Sequence, residues 1–505
     1  MTHGVIYNGN LYPLWAILRH RRLGKYSNMV MTRYQYLASV ISQRIEQGLY
    51  PVGVRLPSIR VLSKEHGVSI TTVQQAYRTL EEQQWVEARA KSGYFVAQRK
   101  IRPDLPACCN ATQCSLTIPQ WERVLDMINP VNAAEIALGF AAPDITSNSL
   151  QPLIRSLSHL SQRLYQRTFG DEDIRGCVEL REQIARLLID SGSHMDASNI
   201  LITDGCREAL SLAVRCVCKP GDIVAVEKPS FHAGIQLLHG LGMNLLEIPT
   251  NPATGISVEA LELALEQWPI KAILVTPTGN NPLGFNMPLE RRHALLRLAQ
   301  EHDVPIIEDD TYGELSYPYP RPATLTSMDD TGNVLLCSSF SKTLAPGLRV
   351  GWIAPGSYMN RAVHMKYTSS GPTAGLPQLA IVDFIKQGYY LKHVRRMRSQ
   401  YQHNRDLMTG WVADYFPCGT RISRPQGGFL LWVELDKRID TQWLNQKLSE
   451  QHISIAIGAV FAAAGKYDNC LRINYARQLT DEIKHAIRQI GTAVQQRLDG
   501  HVSAS

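Results

Sequence analysis

The stretch Val334-Leu335-Leu336-Cys337-Ser338-Ser339-Phe340-Ser341-Lys342-Thr343-Leu344-Ala345-Pro346-Gly347-Leu348-Arg349 decides both the fold and the chemistry of this chain. An apolar run typical of a buried strand ends in hydroxyls, and a lysine and an arginine follow it. A lysine amine can bond covalently to a carbonyl carbon, and serine and arginine side chains are donors that suit a phosphate. The stretch predicts a site where Lys342 reacts and where Ser339, Ser341 and Arg349 hold an anion.

Two more apolar runs upstream end in polar residues. Residues 271–276 are typical of a buried parallel strand, and they lead into a turn rich in Gly, Pro and Asn at residues 277–284. Residues 304–307 precede the acids Glu308, Asp309 and Asp310. Open α/β sheets bind their ligands at the carboxyl ends of the strands. The chain is therefore predicted to be α/β, with a parallel sheet that carries a ligand site at the carboxyl ends of its strands.

Together these motifs resemble the fold-type I pyridoxal-phosphate enzymes, specifically the class I aminotransferases. The resemblance implies a mostly parallel, doubly wound sheet and a small C-terminal α/β subdomain. The resemblance implies pyridoxal 5'-phosphate as cofactor, an imine between its aldehyde and Lys342, and a catalytic set of Lys342, Asp309 and Tyr312. It places Asp309 against the pyridine nitrogen, and Tyr312 and Asn281 at the phenolic oxygen. Asp310 is the competing acid, but the Asp-x-x-Tyr spacing to Tyr312 favours Asp309.

The same resemblance assigns the remaining contacts of the cofactor and the substrate. Gly205, Cys206 and Arg207 occupy the phosphate loop at the start of a helix, although relatives more often have a small residue and Gln there. Phe231 is the candidate for stacking on the ring, and an ordinary core Phe is the alternative. Arg472 matches the arginine that grips a substrate carboxylate, and an outward-facing strand Arg is the alternative.

Ahead of the enzyme-like part, residues 31–99 have the pattern of three helices and two short strands. Ser58 caps a short helix that Gly67 ends, and Ser69 caps a second helix. Two capped helices joined by a tight turn make a helix-turn-helix, and the two strands add a wing. The segment resembles the GntR-type winged helix, except that Gln84 stands where relatives usually carry Gly.

The charge distribution agrees with a domain that binds DNA. Residues 31–100 contain ten Lys or Arg and five Asp or Glu, and residues 1–30 contain four Lys or Arg and no acid. The front of the chain therefore carries 5 + 4 = +9, against +7 for the whole chain. The helix from Ser69 is the candidate reader of bases, and several basic residues are candidates for phosphate contacts. The predicted DNA-binding residues are Arg55, Arg60, Ser69, Thr71, Thr72, Gln74, Gln75, Arg78 and Lys91.

Four segments are expected: a non-family extension without structure at 1–30, the winged helix at 31–99, a linker at 100–130, and the aminotransferase-like domain at 131–498. No run of eighteen apolar residues occurs, and the basic cluster Arg19-His20-Arg21-Arg22 follows the first apolar stretch, opposite to a secretory signal. A cytoplasmic location, no membrane partner and no metal site are expected. The extension is attributed to an upstream start codon assigned in error, with a basic arm that touches DNA as the alternative.

The order of the domains resembles the MocR branch of GntR-type bacterial regulators. It implies a homodimeric DNA-binding regulator that senses a small amine or amino acid through imine exchange at Lys342. A working aminotransferase with an accessory DNA-binding domain is the alternative, and a purely structural cofactor is a third. Phe169 stands where many relatives have a Tyr that supports the cofactor phosphate from the partner subunit, and this departure leaves turnover open.

Overall fold

The computed structural model of this chain describes residues 5–7, 10–12, 32–82, 85–89, 92–97, 103–108, 113–115, 121, 124–125, 136–163, 170, 172–462 and 466–502. They belong to two compact units, Met1–Arg102 and Pro103–Ser505. Of the predicted extension 1–30, only Val5–Tyr7 and Asn10–Tyr12 are described, and they pair as antiparallel strands. The rest of that prediction lies outside the described residues.

The first unit contains three helices, Arg33–Glu46, Ile59–His66 and Ile70–Glu82, followed by the antiparallel strands Val86–Arg89 and Gly93–Val96. The predicted caps are present. The Ser58 hydroxyl accepts a hydrogen bond of 3.4 Å from the Val61 amide, and Gly67 ends the helix in the left-handed region at φ 61°. Ser69 accepts a hydrogen bond of 3.1 Å from the Thr72 amide at the start of the third helix.

The core of the first unit is formed by one face of each helix. Val73, Tyr77 and Leu80 are fully buried along the third helix, as its helical spacing predicts. The Tyr77 hydroxyl donates to the carbonyl of Pro57, so it ties this helix to the turn before the second helix. Burying these side chains leaves the opposite face of the third helix in solvent.

The second unit is built on a large, mostly parallel sheet. Its strands lie in the spatial order Gly255–Ile256, Asn244–Asn251, Ile223–Lys228, Ile270–Val275, Ile306–Asp309, Val334–Ser339, Gly351–Ala354 and Leu201–Thr203. The four successive pairings from Asn244–Asn251 to Val334–Ser339 in this spatial order are parallel, while Gly351–Ala354 is antiparallel to both neighbours. Gln113–Ser115 adds to Asn244–Asn251 as an antiparallel strand.

Helices cover both faces of this sheet, because alternate residues of a strand enter opposite cores. Ala225 packs with the helices Val258–Gln267 and Leu289–Glu301. Its neighbours Val224 and Val226 pack with the helices Cys206–Val217, His232–Gly240 and Met359–Tyr367. The predicted α/β architecture is thus confirmed.

The remaining elements form a smaller layer. The strands Arg421–Ile422, Leu430–Glu434, Cys470–Asn474 and Ala456–Ile457 make an antiparallel sheet, and Ile453–Ser454 pairs in parallel with Ile136–Ala137. The other helices are Gln151–Arg163, Val178–Leu188, Gly375–Lys386, Tyr389–Tyr415, Thr441–Ser449 and Asp481–Val502. Within the part of the chain that is described, no helix combines the length and apolar character needed to span a membrane.

Candidate functional site

A cavity of about 270 Å³ opens at the carboxyl ends of the central parallel strands. The strand Ile306–Asp309 ends at Asp309, and its neighbour Val334–Ser339 ends three residues before Lys342. Parallel strands end at the same edge of a sheet, so these two groups meet there. The predicted site residues in the cavity wall are Cys206, Arg207, Phe231, Asn281, Asp309, Tyr312, Ser339, Ser341, Lys342, Arg349 and Arg472.

Lys342 lies in the cavity wall with its amine in a cationic environment. Its Nζ donates a hydrogen bond of 2.6 Å to the carbonyl of Ala141. Burial, together with repulsion from Arg472 and Arg207, lowers the pKa of Lys342 to about 8. A larger share of this amine is therefore neutral, and nucleophilic, near physiological pH than for an ordinary lysine.

The two neighbouring acids after the strand have different partners. Asp309 lies in the cavity wall, and burial raises the pKa of its carboxyl while hydrogen bonds from Thr311 lower it. Asp310 is buried in an ion pair with Arg321, which also binds Glu314 at 2.9 Å. Asp310 lies outside the wall of this cavity. The structure therefore leaves Asp309, and not Asp310, available to a ligand.

Arg472 lies inside the fold, which excludes the alternative of an outward-facing strand arginine. It is 1 % exposed, its Nη1 donates to the amide oxygen of Asn281 at 2.9 Å, and its Nη2 donates to the carbonyl of Gly139 at 2.7 Å. Burial lowers the pKa of Arg472 to about 10. Among the described residues no carboxylate pairs with it, and its guanidinium contacts two neutral oxygens and lies 4.9 Å from the centroid of the Phe461 ring.

Tyr312 is buried against Phe429, with ring centroids 5.5 Å apart. Its hydroxyl is buried and has no hydrogen-bond partner among the described residues. Burial raises the pKa of Tyr312, so the hydroxyl keeps its proton. An unpaired buried hydroxyl costs free energy, which a ligand oxygen in the cavity would recover.

The predicted phosphate loop lies beside Arg349. Gly205 precedes the helix Cys206–Val217 at φ 88°, and a Cβ there would lie 3.0 Å from the Arg349 guanidinium carbon, so only glycine suits the position. Arg349 donates a hydrogen bond of 2.5 Å to the carbonyl of Asp204, and the amide of Ser341 donates to the Ser339 hydroxyl at 3.3 Å. The first amides of a helix have no intrahelical acceptor, so this corner favours an anion.

Phe231 and His232 form another part of the wall. The rings contact edge to face with centroids 4.8 Å apart, and Phe231 is only half-buried, unlike an ordinary core Phe. Burial, followed by repulsion from Arg472, Arg207 and Lys342, lowers the pKa of His232 well below its usual value. The imidazole is therefore neutral at physiological pH.

The residues predicted to bind DNA lie on the first unit and are mostly exposed. Thr71, Gln74, Gln75 and Arg78 are exposed along the helix Ile70–Glu82, and Thr72 is half-buried beside the Ser69 cap. Arg55 and Arg60 are also exposed, whereas Lys91 lies outside the described residues. Arg89 binds Glu87 at 2.6 Å and lies over the Phe95 ring.

Sequence reasoning missed three parts of the site. The carbonyl of Ala141 binds Lys342, His232 joins the wall, and Thr311 hydrogen-bonds Asp309. Thr311 was detectable, because it lies between two residues of a recognised motif. The segment around Ala141 has no such signal, since its role depends on a contact with a residue far along the chain. Phe169, whose role was left open, lies outside the described residues.

Two family models match the chain. The model described as "Aminotransferase class I and II" matches residues 146–490, and the model described as "Bacterial regulatory proteins, gntR family" matches residues 33–96. The chain is 52% identical over 470 residues to an HTH-type transcriptional regulator of Escherichia coli K12, YjiR, a match that covers 93% of this chain and 100% of the relative. Another E. coli regulator of this type, YdcR, is 34% identical over 470 residues, which cover 93% of this chain and 100% of that relative.

Aminotransferases are also similar to this chain. It is 30% identical over 306 residues to aromatic-amino-acid aminotransferase 1 of Thermococcus litoralis, covering 59% of this chain and 73% of that enzyme. Among solved structures, kynurenine aminotransferase of Pyrococcus horikoshii in complex with PMP superposes with a TM-score of 0.69 at 27% identity. That match covers 75% of this chain and 95% of the enzyme.

Proposed function

This chain belongs to the class I and II aminotransferase family and carries a GntR-family domain ahead of it, and from that premise we propose that it is a MocR-type transcription regulator. It binds DNA through the first unit and pyridoxal 5'-phosphate in the second. The observation that carries the proposal is that one chain contains both a helix-turn-helix with an exposed polar face and a cavity with a reactive lysine.

The cavity residues fit pyridoxal phosphate. The buried Tyr312 hydroxyl has no partner, and Arg472 carries a buried charge that no carboxylate among the described residues balances. Arg349 and the start of the helix Cys206–Val217 form an anion-binding corner, which Ser339 and Ser341 extend. These features suit a ligand with a phosphate, a phenolic oxygen and an aromatic ring. We therefore assign the phosphate to that corner and the phenolic oxygen to Tyr312 and Asn281.

When bound, pyridoxal phosphate supplies an aldehyde carbon that condenses with primary amines and a ring that withdraws electrons. Lys342 is the amine that the cavity presents to it, and the lowered pKa favours the neutral, nucleophilic form. The Asp309 carboxylate would accept a hydrogen bond from the ring nitrogen and keep it protonated. Phe231 would lie against the ring. The Lys342 Nζ, when it is not bonded to the cofactor, could hold a proton.

The effector is a small amine or amino acid. Arg472 binds its α-carboxylate, because the buried guanidinium has no carboxylate partner of its own among the described residues. A ligand changes the activity of a regulator only if it binds two states of the protein unequally. An effector amine that took the place of the Lys342 amine would be such a difference, since it would free Lys342 and fill the space beside Arg472.

DNA recognition is assigned to the helix Ile70–Glu82. The short polar side chains at its start reach base edges, and Arg55, Arg60, Arg78 and Lys91 bind phosphates. We propose the boundaries 31–99 for the winged helix, 100–130 for the linker and 131–498 for the cofactor domain. We also propose a homodimer, because two winged helices match two half-sites.

The test is the affinity of the purified protein for its operator DNA with and without amines. A panel of amino acids and simple amines should contain one that changes the affinity of the cofactor-loaded wild type and leaves Lys342→Ala unchanged. If no amine changes the affinity of the wild type, the sensing role is refuted. The matched control for the unit that binds DNA is Gln75→Ala, which should weaken operator binding and keep the cofactor.

The competing function is an active aminotransferase, and one observation favours it. One cavity wall contains the groups needed for proton transfer and for carboxylate binding. They are Lys342, Asp309, Tyr312 and Arg472. Sustained conversion of 2-oxoglutarate with an amino donor, at many turnovers per site, would support this alternative. A regulator with a single exchange per effector would show no such turnover.

A further inference from the structure

The Asp309 carboxylate is held by one of its two oxygens. Its Oδ1 accepts a hydrogen bond of 2.5 Å from the Thr311 hydroxyl and one of 3.0 Å from the Thr311 amide. The Cys206 thiol lies 3.7 Å from the same oxygen, as a weak third donor. None of the hydrogen bonds among the described residues uses Oδ2. The carboxylate is thus fixed through Oδ1, and Oδ2 remains available.

The hydroxyl and the thiol also contact each other. Thr311 Oγ1 lies 3.0 Å from Cys206 Sγ, so the two side chains form one cluster with the carboxylate. A hydroxyl has one hydrogen, and an ionised carboxylate is a stronger acceptor than a thiol sulfur. Thr311 therefore donates to Asp309. Cys206 comes from the predicted phosphate loop, so this cluster connects the phosphate corner to the acid.

We propose that Thr311, assisted by Cys206, is a positioning residue that holds Asp309 by Oδ1 and reserves Oδ2 for the ring nitrogen of the cofactor. The proposal rests on the proposed function, because it assumes that Asp309 binds that nitrogen. It goes beyond the motif, in which only the first and last residues of Asp-x-x-Tyr carry a role. Thr311 acts through Asp309 and does not itself bind the ring.

The charge of the carboxylate supports this role. Burial raises the pKa of Asp309, and the two hydrogen bonds from Thr311 lower it, so they oppose the cost of burial. A carboxylate that loses such a donor is protonated at higher pH, and a protonated acid no longer stabilises a protonated ring nitrogen. Removing the Thr311 hydroxyl therefore weakens both the orientation and the ionisation of Asp309.

The chain contains a matched control. Thr326 binds the neighbouring acid Glu308 in the same way, since its hydroxyl and its amide both donate to Glu308 Oε2 at 3.1 Å. Glu308 is buried but lies outside the cavity wall. Thr326→Val and Thr311→Val therefore remove the same kind of hydrogen bond from adjacent acids of one strand. Of these two acids, only Asp309 faces the cofactor cavity.

The experiment compares wild type, Thr311→Val, Thr311→Ser and Thr326→Val, each loaded with pyridoxal phosphate. Three quantities are measured: the pH titration of the visible absorbance, the dissociation constant of the cofactor, and the thermal midpoint of the cofactor-free protein. Thr311→Val should shift the titration and raise the dissociation constant by about tenfold, as expected for a lost hydrogen bond to a charged group. Thr311→Ser should restore both, and Thr326→Val should change neither.

The outcomes separate this inference from the proposed function. If Thr311→Val titrates and binds like wild type while Asp309→Ala loses cofactor, the positioning role is overturned and the cofactor site stands. If Thr326→Val shifts the titration as much as Thr311→Val, the effect is structural and the positioning role is again overturned. If wild type shows no saturable binding of pyridoxal phosphate, the proposed function fails first. Cys206→Ala should produce a smaller shift than Thr311→Val, which Cys206→Ser reverses.

Discussion

Arg472 donates from Nη1 to the amide oxygen of Asn281 at 2.9 Å, across 191 positions of the sequence. Because the oxygen of that amide is occupied, its nitrogen is left as a donor for a ligand in the cavity. One hydrogen bond thus joins the proposed carboxylate-binding arginine to the proposed partner of the phenolic oxygen. A change at either residue should therefore affect the binding of both effector and cofactor.

Replacing Arg472 should discriminate between classes of effector. In Arg472→Met, amino acids should bind roughly 30-fold to 150-fold more weakly, because a buried, hydrogen-bonded charge pair is worth about 2–3 kcal/mol. Simple amines without a carboxylate should lose much less. Spectral titration of the cofactor-loaded protein with amino acids and with their decarboxylated amines measures the loss of affinity for each series. Equal losses for the two series would remove the carboxylate role from Arg472.

Lys342 should be the covalent attachment point of the cofactor. Borohydride reduction of the loaded protein should fix pyridoxal phosphate on one peptide, and Lys342→Ala should abolish the labelling. Peptide mass spectrometry identifies the site. Labelling of the Lys342→Ala variant at a single other lysine would show that the assignment is wrong.

The cofactor-free protein should show an unusual pH dependence of amine reactivity. Since the pKa of Lys342 is lowered from 10.5 to about 8, the amine is protonated and unreactive below that pH and neutral above it. Acylation of Lys342 by a small reagent should therefore rise with a midpoint near pH 8. Mass spectrometry of the Lys342 peptide over a pH series measures the midpoint. A midpoint above pH 10 would contradict the cationic, buried environment.

The two neighbouring acids should respond differently to substitution. Asp309→Ala should lose cofactor affinity with little change in the stability of the cofactor-free protein, since the donors to Asp309 among the described residues are a hydroxyl, an amide and a thiol. Asp310→Ala should lower the free energy of unfolding by about 3 kcal/mol, because it leaves Arg321 buried with only Glu314. Denaturant unfolding and cofactor titration of both variants test the contrast. Reversed results would transfer the ligand role to Asp310.

The DNA contacts should divide into two kinds. Arg60→Ala should weaken binding to all sequences and flatten the slope of log affinity against log salt by about 1, as loss of one phosphate contact does. Thr72 and Gln75 substitutions should cost about 1–3 kcal/mol at particular base pairs. Titrations against operator and scrambled DNA at several salt concentrations measure the salt slope and the sequence-specific loss of affinity. Uniform losses from every variant would leave the helix Ile70–Glu82 without a reading role.

Much of the architecture was predictable from local patterns. Apolar runs ending in polar residues located the strands that end at Asp309 and before Lys342, and the capping residues Ser58 and Ser69 located the helix-turn-helix. These signals are local, since a strand, a cap or a turn depends on residues only a few positions apart. The register of the wing strands Val86–Arg89 and Gly93–Val96 is not such a local signal, because it depends on contacts between the two strands.

The sequence by itself determined which residues stand at the strand ends and which motifs they form. Only the tertiary structure decided which of them reach the cavity. An ion pair with Arg321 holds Asp310 outside the cavity wall. Hydrogen bonds to Asn281 and Gly139 hold Arg472 inside the fold. The role of Thr311 likewise depends on a thiol from a distant loop. The reason is physical: a buried charge must lie where its partners are, and the folding of distant segments places those partners together.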